Sequence, residues 1–249
     1  MPPLAGLRVV VTRAEHQSEG LAAAFERAGA RVELLPLLEV VPPADPRPLA
    51  RAAGDLASYD WLVFTSANAV EAFLPLTGPL RSSLRIAAVG PATAAALRAF
   101  GSEPHLTARK AEAEGLAADL APRIAGRRVL LPQAADARPV LLQELKEAGA
   151  EAVAVIAYDK RLPPEAPVRA AELFATIPIG WVTFTSPRIV RHFVELFGPD
   201  WERRKGELRA VSIGPVTSAE LRRYGVEPAA EAERPGEEGM VGAVRSARA

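Results

Sequence analysis

Short apolar runs alternate with amphipathic stretches along the whole chain. Runs of four or five apolar residues are typical of buried strands, and the stretches between them show the apolar spacing of helices. Strands are predicted at Arg8–Thr12, Val32–Leu35, Trp61–Thr65, Arg85–Val89, Val129–Leu131, Val153–Ala157, Trp181–Thr185 and Arg209–Ile213. Helices are predicted at Ser18–Ala28, from Ala67 to about Leu76, and from the Gly90-Pro91 turn to Phe100. Apolar strands separated by single helices predict right-handed βαβ units and parallel sheets covered on both faces.

The same pattern occurs twice in the same order. Three blocks return after 120 residues, and two more return after 124 because of a four-residue insertion. The pairs are Val9-Val10-Val11 with Val129-Leu130-Leu131, Ala28-Gly29-Ala30 with Ala148-Gly149-Ala150, Phe64-Thr65-Ser66 with Phe184-Thr185-Ser186, Gly90-Pro91-Ala92-Thr93 with Gly214-Pro215-Val216-Thr217, and Glu114-Gly115 with Glu238-Gly239. The period is far longer than the units of about 20–50 residues that stack into solenoids. The chain is therefore predicted to hold two similar α/β domains with a cleft between them.

Two proline-rich stretches, residues 41–48 and 162–167, interrupt the pattern away from its midpoint. Proline cannot continue a helix or a central strand, so these stretches favour linkers. They predict a discontinuous domain of residues 1–37 and 165–249, and a continuous domain of residues 38–164 that includes two connector strands. A plain tandem split near residue 125 is the alternative, and the position of the linkers favours the discontinuous arrangement.

The composition, 49% apolar and 24% charged over 249 residues, is that of a globular protein. Basic and acidic residues balance to zero formal charge, which argues against a nucleic-acid partner but leaves room for a locally basic pocket. Cysteine is absent, which excludes disulfides, thiolate nucleophiles and cysteine metal sites. No apolar run approaches the roughly 18–20 residues that span a bilayer, and no signal-peptide pattern is evident. We expect a soluble cytoplasmic protein.

Common catalytic motifs are missing from the sequence. It contains no glycine-rich dinucleotide or phosphate-binding fingerprint, no HExxH zinc motif and no GxSxG nucleophile elbow. His16, His105 and His192 are scattered without the spacing of metal ligands, which favours surface or loop histidines. We therefore expect neither a metal nor a cofactor.

Two strand–turn–helix units in each copy carry candidate polar groups. Ser66 and Ser186 follow strands and precede helices, where a side-chain oxygen caps free N–H groups. Thr93 and Thr217 lie in the first turns of the helices that open with Gly-Pro. Capping explains these residues structurally, and it is compatible with a function. In open parallel sheets ligands bind beyond the carboxyl ends of the strands, and helix N-termini favour anions, so these turns suit a ligand with many carboxylates.

Tyr158 breaks the symmetry of the repeat, because the position 120 residues earlier is Leu38. It follows a predicted strand at the entrance to the second linker. Two interpretations stay open from position alone. The ring covers the hinge as an amphipathic side chain, or it reaches into the cleft.

The ordered motifs FTSANAV, AVGPAT, VIAYDK, FTSPRIV and SIGPVTSAEL make the chain resemble the uroporphyrinogen-III synthases over essentially its whole length. The resemblance implies two α/β domains, each a parallel sheet flanked by helices, joined by a two-stranded connector. It also implies a lyase that converts hydroxymethylbilane to uroporphyrinogen III, with loss of water and inversion of the last pyrrole ring. This is a step of tetrapyrrole (haem) biosynthesis that needs no metal or cofactor.

The resemblance further implies roles for individual residues. Tyr158 matches the family's candidate proton donor for the leaving hydroxyl, and positioned acids contribute about 10²–10⁴-fold. The groups expected to hold the eight substrate carboxylates are Arg13, Ser66, Thr93, Ser186, Arg188 and Thr217. For Arg13 and Arg188, a solvated surface position is an equally open interpretation.

A second class of function stays open at this point. A two-domain binding or sensor module for a polyanionic metabolite would use the same fold without chemistry. Conversion of hydroxymethylbilane to the type III isomer distinguishes the two classes. In either case we expect a monomer.

Overall fold

The computed structural model describes residues 2–110, 112–175 and 178–248. The chain forms two compact units. Unit 1 comprises Met1–Glu39 and Arg161–Ala249, and unit 2 comprises Val40–Lys160. Within the described residues, no helix has the length and apolar character that crossing a membrane requires.

The strands are β1 (Arg8–Val11), β2 (Arg31–Leu34), β3 (Glu39–Val41), β4 (Trp61–Phe64), β5 (Arg85–Ala88), β6 (Leu106–Thr107), β7 (Arg128–Ala134), β8 (Glu151–Arg161), β9 (Gly180–Phe184), β10 (Leu208–Ser212) and β11 (Ala230–Glu231). The helices are α1 (Glu15–Arg27), α2 (Arg47–Gly54), α3 (Ala67–Phe73), α4 (Pro91–Ala99), α5 (Ala113–Ile124), α6 (Val140–Glu147), α7 (Ala166–Phe174), α8 (Pro187–Phe197), α9 (Trp201–Arg204), α10 (Pro215–Arg223) and α11 (Glu237–Arg248).

In the described part of the chain, each unit is built on one sheet. Unit 1 has a five-stranded sheet in the order β11-β10-β9-β1-β2, and the sheet of unit 2 has the order β3-β8-β7-β4-β5-β6. The pairs of β1 with β2 and β9, and of β4 with β5 and β7, are parallel. The predicted fold class, parallel α/β sheets flanked by helices, is confirmed.

Both faces of the central strands β1 and β4 are buried, as expected for strands that are apolar throughout. In unit 2, Leu62 and Phe64 pack into one cluster, and Trp61 and Val63 pack into another. Because side chains alternate between the faces of a strand, these two clusters are the two helix-covered layers. Unit 1 repeats the arrangement with two clusters of its own.

The chain passes between the units within two strands. One passage is at Glu39 in β3 and the other at Arg161 in β8. These strands are neighbours in the six-stranded sheet, and the Arg161 guanidinium lies 2.9 Å from the Glu39 carboxylate. The proline-rich stretches follow directly, after Val41 and after Arg161.

Several boundaries differ from those predicted. Helix α1 begins at Glu15 rather than at Ser18, whose hydroxyl instead donates to the carbonyls of Arg13 and Ala14 within the first turn. The predicted helix beyond Ala67 ends its α-helical part at Phe73 and closes with a 3₁₀ turn. Strand β8 is longer than predicted and continues through Tyr158.

The repeated Glu-Gly pairs have a packing reason. A Cβ atom added at Gly115 would clash with the Lys110 carbonyl, and one added at Gly239 would clash with the Arg234 carbonyl. Each glycine therefore allows a preceding loop to approach the first turn of its helix, α5 or α11.

Candidate active site

A pocket of about 430 Å³ lies in unit 2 at the carboxyl ends of β4, β5, β7 and β8. The polar residues that border it are Thr65, Ser66, Glu112, Gln133, Asp136, Arg138, Tyr158 and Lys160. This edge is where parallel sheets bind ligands, because the helices that follow the strands begin there. We call it the unit 2 pocket.

Other concavities are present but have a different chemical setting. One in unit 2 is bordered by Asp60, Arg85, His105 and Arg127 at the amino ends of the strands. A larger one of about 1010 Å³ lies against α11 in unit 1. Neither contains a predicted site residue, so the unit 2 pocket is the candidate active site.

Ser66 lies at the rim of the pocket and is the capping residue directly before helix α3. Its backbone is extended, with φ −158° and ψ 153°, and its Oγ accepts a hydrogen bond from the Ala69 N–H at 3.2 Å. This bond satisfies one of the N–H groups that a helix start leaves without a partner. The predicted cap is thus present.

Tyr158 lies beside Ser66. Its hydroxyl is 3.1 Å from Ser66 Oγ, and its ring is buried in the core cluster of unit 2, with the residue 3% exposed. The Lys160 ammonium lies 5.5 Å from the ring centre and 3.8 Å from the Asp136 carboxylate. The pocket therefore brings a phenol, a hydroxyl and an ion pair together.

A β-bulge aims Tyr158 at this position. Gln133 of β7 pairs with Ile156, but the next residue, Ala134, pairs with Tyr158, so β8 holds one extra residue. Strict alternation would put Tyr158 on the same face as Ile156, which is 47% exposed. The bulge instead places Ala157 and Tyr158 together in one buried cluster.

Ser186 is the counterpart of Ser66 in unit 1. It caps α8 by accepting from the Ile189 N–H at 3.4 Å, and Pro187 occupies the first helical position. The counterpart of Tyr158 is Leu38, which packs against the unit 1 core. The two caps therefore share their geometry but differ in the neighbour of the serine.

The predicted arginines both belong to unit 1. Arg13 follows β1 and donates from Nε to Gln17 Oε1 at 3.2 Å, so the first turn of α1 holds its side chain. Arg188 is the second residue of α8 and is partly buried. Both residues follow the carboxyl ends of strands.

Thr93 and Thr217 are each only 3% exposed. They lie in the first turns of α4 and α10, after glycines with extended backbones. Since their side chains are buried within their own units, a ligand at these turns would meet backbone N–H groups first. Thr93 is not one of the described residues that border the unit 2 pocket.

Two histidines bind backbone groups rather than one another. His105 Nδ1 accepts from the Ile86 N–H at 3.1 Å, and His192 Nδ1 donates to the Leu37 carbonyl at 2.5 Å. The side chain of His16 lies outside the described residues. The described residues contain no group of three or more histidine or acidic side chains that could hold a metal ion.

The sequence profile of the family described as uroporphyrinogen-III synthase HemD matches residues 19–242. The chain belongs to the uroporphyrinogen-III synthase family. The resemblance read from the FTS, GPAT and AYDK motifs is confirmed, and the alternative of a sensor module is not favoured.

Individual relatives agree with this assignment. The chain is 36% identical over 226 residues to the uroporphyrinogen-III synthase of Synechococcus elongatus, covering 87% of this chain and 86% of that protein. Its fold is similar to that of a substituted uroporphyrinogen III synthase from the extremely thermophilic bacterium Thermus thermophilus, with a TM-score of 0.62, 22% identity and coverage of 98% and 99%. The enzyme from Helicobacter pylori gives a TM-score of 0.66 at 18% identity, covering 96% of this chain and 99% of that one.

Sequence reasoning missed several residues at the candidate site of this family member. Gln133, Asp136 and Lys160 border the unit 2 pocket but were not assigned a role. Gln133 and Asp136 lie at the end of β7 and just beyond it, so the rule that ligands bind at carboxyl ends of strands would have selected them. Lys160 stands in the AYDK motif itself, two residues after the tyrosine.

Proposed function

We propose that the protein is a uroporphyrinogen-III synthase. It cyclises hydroxymethylbilane, a linear tetrapyrrole, to uroporphyrinogen III in tetrapyrrole (haem) biosynthesis, and one water molecule leaves. The observation that carries the proposal is family membership over residues 19–242. The position of Tyr158 beside Ser66 in the unit 2 pocket supports it.

The first chemical step is loss of the terminal hydroxyl. Hydroxide is a poor leaving group, so we propose that Tyr158 donates its phenolic proton as the carbon–oxygen bond breaks. Water leaves, and the adjacent pyrrole nitrogen stabilises the resulting azafulvene cation. A positioned acid of this kind contributes about 10²–10⁴-fold.

Ring closure follows by carbon–carbon bond formation. The substituted carbon of the last pyrrole attacks the azafulvene carbon, giving a spiro intermediate that rearranges with inversion of that ring. The pyrrole then loses one proton, which restores the phenol of Tyr158, so the net change is loss of water. Because the linear substrate also closes spontaneously without inversion, the protein acts on this step mainly by orienting the reacting atoms.

The substrate offers eight carboxylates as handles. We propose that they are held by N–H groups and side chains at the helix starts of both units, with arginines adding charge. The proposed binding residues are Arg13, Ser66, Thr93, Ser186, Arg188 and Thr217. Anions bind well at helix starts because the first N–H groups have no partner within the helix.

Further parts of the proposal concern the whole protein. We propose a monomer that acts in the cytoplasm without a nucleic-acid partner, and whose domains are residues 38–164 and residues 1–37 with 165–249. Light scattering of the purified protein checks the monomer. Limited proteolysis checks the domains, with first cleavage expected in the two proline-rich stretches.

The experiment that tests the function is a product-isomer assay. Purified protein is added to freshly prepared hydroxymethylbilane, and the oxidised products are separated into type I and type III isomers. We expect type III with the protein and type I without it. Equal isomer ratios in the two samples would reject the proposal.

A further inference from the structure

Ser66 has two neighbours where a helix cap needs one. Its Oγ accepts from the Ala69 N–H and also lies 3.1 Å from the Tyr158 hydroxyl. We infer that Ser66 is a positioning residue, which donates its own proton to the Tyr158 oxygen and thereby leaves the phenolic proton free for the substrate. This inference rests on the proposed function, because it requires Tyr158 to be the proton donor.

The hydrogen-bond capacity of a serine hydroxyl supports this direction. The hydroxyl has one proton and two lone pairs, and the Ala69 N–H occupies one lone pair. If Tyr158 donated to Ser66, the phenolic proton would be directed at the cap and not at the pocket. An oxygen that accepts one hydrogen bond is a better donor in a second, so the Ala69 bond favours donation from Ser66 to Tyr158.

The burial of the pair strengthens this effect. Tyr158 is 3% exposed, and a hydrogen bond in such a low-dielectric setting is stronger than one in water. Once the phenolic proton has moved to the leaving hydroxyl, the Ser66 O–H faces a phenolate, and hydrogen bonds to charged groups are stronger than neutral ones. Through Tyr158, Ser66 therefore acts mainly in the transition state, and its loss lowers kcat in addition to any rise in KM from the loss of a carboxylate anchor.

The repeat supplies an internal comparison. Ser186 caps α8 in the same way, although Leu38 stands in unit 1 where Tyr158 stands in unit 2. Capping therefore does not require a tyrosine beside the serine. The contact with Tyr158 is a second property of Ser66, and the effect of removing it can be separated from the effect of losing a cap.

The test is a double-mutant cycle with a matched control. The rates of type III formation are measured for Ser66→Ala, Tyr158→Phe and the double variant, after subtracting spontaneous closure. We expect Ser66→Ala to lower kcat by about tenfold in the presence of Tyr158 and to have no effect on kcat in the Tyr158→Phe background. Ser66→Thr, which keeps a hydroxyl, restores most of kcat.

The control is Ser186→Ala, alone and with Tyr158→Phe. It removes an equivalent cap and a proposed carboxylate anchor. We therefore expect Ser186→Ala to change the rate of type III formation by the same factor with Tyr158 present and with Tyr158→Phe. Ser66→Gly serves as a second variant if Ser66→Ala folds poorly, since glycine is nearly as good as serine at a helix start. It is expected to give the same loss of kcat.

Each contrary result has its own meaning. Equal factors for Ser66→Ala in both backgrounds, or a change in KM alone, would overturn the positioning role and leave Tyr158 as the acid. A Tyr158→Phe variant with the wild-type rate would reject both roles. Wild-type protein that forms no type III isomer would reject the proposed function itself.

Discussion

Ser66 in unit 2 and Ser186 in unit 1 cap equivalent helices, yet their hydroxyl groups have different neighbours. Ser66 faces the buried hydroxyl of Tyr158, whereas the position that corresponds to Tyr158 is Leu38 in unit 1. The shared part of the repeat is the cap, in which the serine oxygen accepts from a free N–H group of the helix. The phenol is found in unit 2, and unit 1 forms the same cap without one.

Unit 1 has polar groups of its own that unit 2 lacks. The hydroxyls of Ser212 and Ser218 are buried 2.6 Å apart, and Ser218 also donates to Glu231. The equivalent positions in unit 2 are alanine, alanine and threonine: Ala88, Ala94 and Thr107. The two units thus carry additional polar groups at different positions of the repeat. Those of unit 2 border the candidate pocket.

The largest expected effect is that of Tyr158→Phe. The variant keeps the buried ring and removes the O–H, so we expect the rate to fall by about 10²–10⁴-fold while the product remains type III. Isomer choice is assigned to the way the bound chain is held, which the variant leaves intact. Rate and product isomer are measured together.

The matched control for this change is Tyr59→Phe. Tyr59 is buried in the same cluster of unit 2 but does not border the pocket. We expect the wild-type rate. A similar loss in both tyrosine variants would assign Tyr158 to packing rather than to proton transfer.

The next largest effect concerns the buried hydroxyls of unit 1. Ser218→Ala copies the residue of unit 2 at that position and leaves the buried Ser212 hydroxyl without its partner, which costs about 1–3 kcal/mol of unfolding free energy. Ser212→Ala combined with Ser218→Ala removes both groups, and we expect it to be more stable than Ser218→Ala alone. Denaturant unfolding of Ser212→Ala, Ser218→Ala and the double variant measures their unfolding free energies. A double variant whose loss of stability equals the sum of the two single losses would contradict this expectation.

A smaller effect is expected on substrate binding through Arg188. If Arg188 holds a carboxylate, Arg188→Gln should raise KM by roughly two- to fivefold at low salt. KM of the variant should also rise less steeply with ionic strength, because salt screens the attraction between Arg188 and a carboxylate over about 8–10 Å. Arg222→Gln is the control, since Arg222 lies in the last turn of α10 and pairs with Glu227 at 2.8 Å. Identical salt profiles for all three proteins would remove Arg188 from the proposed site.

The smallest expected effect is the acid sensitivity of unit 1 at Glu220, whose counterpart in unit 2 is Ala96. Burial acts to raise the pKa of Glu220, but hydrogen bonds from Arg191 and Arg223 outweigh it and hold the pKa below its ordinary value of 4.5. The charged form therefore stabilises the folded state above pH 4.5, and this contribution is lost as the pH falls through the folded-state pKa.

Glu220→Gln provides the measurement. It should lower the unfolding free energy at pH 7 by about 1 kcal/mol or less, since both arginines reach solvent. The difference between the wild type and the variant should vanish at low pH. A difference that stays constant from pH 7 to pH 3 would show that ionisation of Glu220 plays no part.

The features that the sequence predicted well are local ones. The strands and the serine caps follow from short apolar runs and from the residue at one helix start, as in Phe64-Thr65-Ser66. The direction of Tyr158 depends instead on the pairing of β8 with β7, where one extra residue changes the face. The period-two alternation of a single strand cannot reveal such a bulge, because a bulge is defined by how that strand pairs with its neighbour.

The burial of Thr93 and Thr217 escaped prediction for a similar reason. The sequence located both at helix starts, but which side of the first turn faces the core depends on how the helix packs on its sheet. Lys160 and Asp136 illustrate the same limit, since they lie 24 residues apart in the chain and form an ion pair at 3.8 Å. Their proximity is a property of the fold.

Unit 1 is built from two separate segments of the chain, which affects how it folds during synthesis on the ribosome. Unit 2 is complete once residue 160 has been translated, and it can fold while the ribosome is still extending the chain. Strand β1, by contrast, lies between β2 and β9, and its partner Val182 is made long after Val10. Until β9 has been synthesised, one edge of the apolar strand β1 therefore has no partner. Slow translation beyond residue 160 prolongs the period in which the nascent chain is most prone to aggregate.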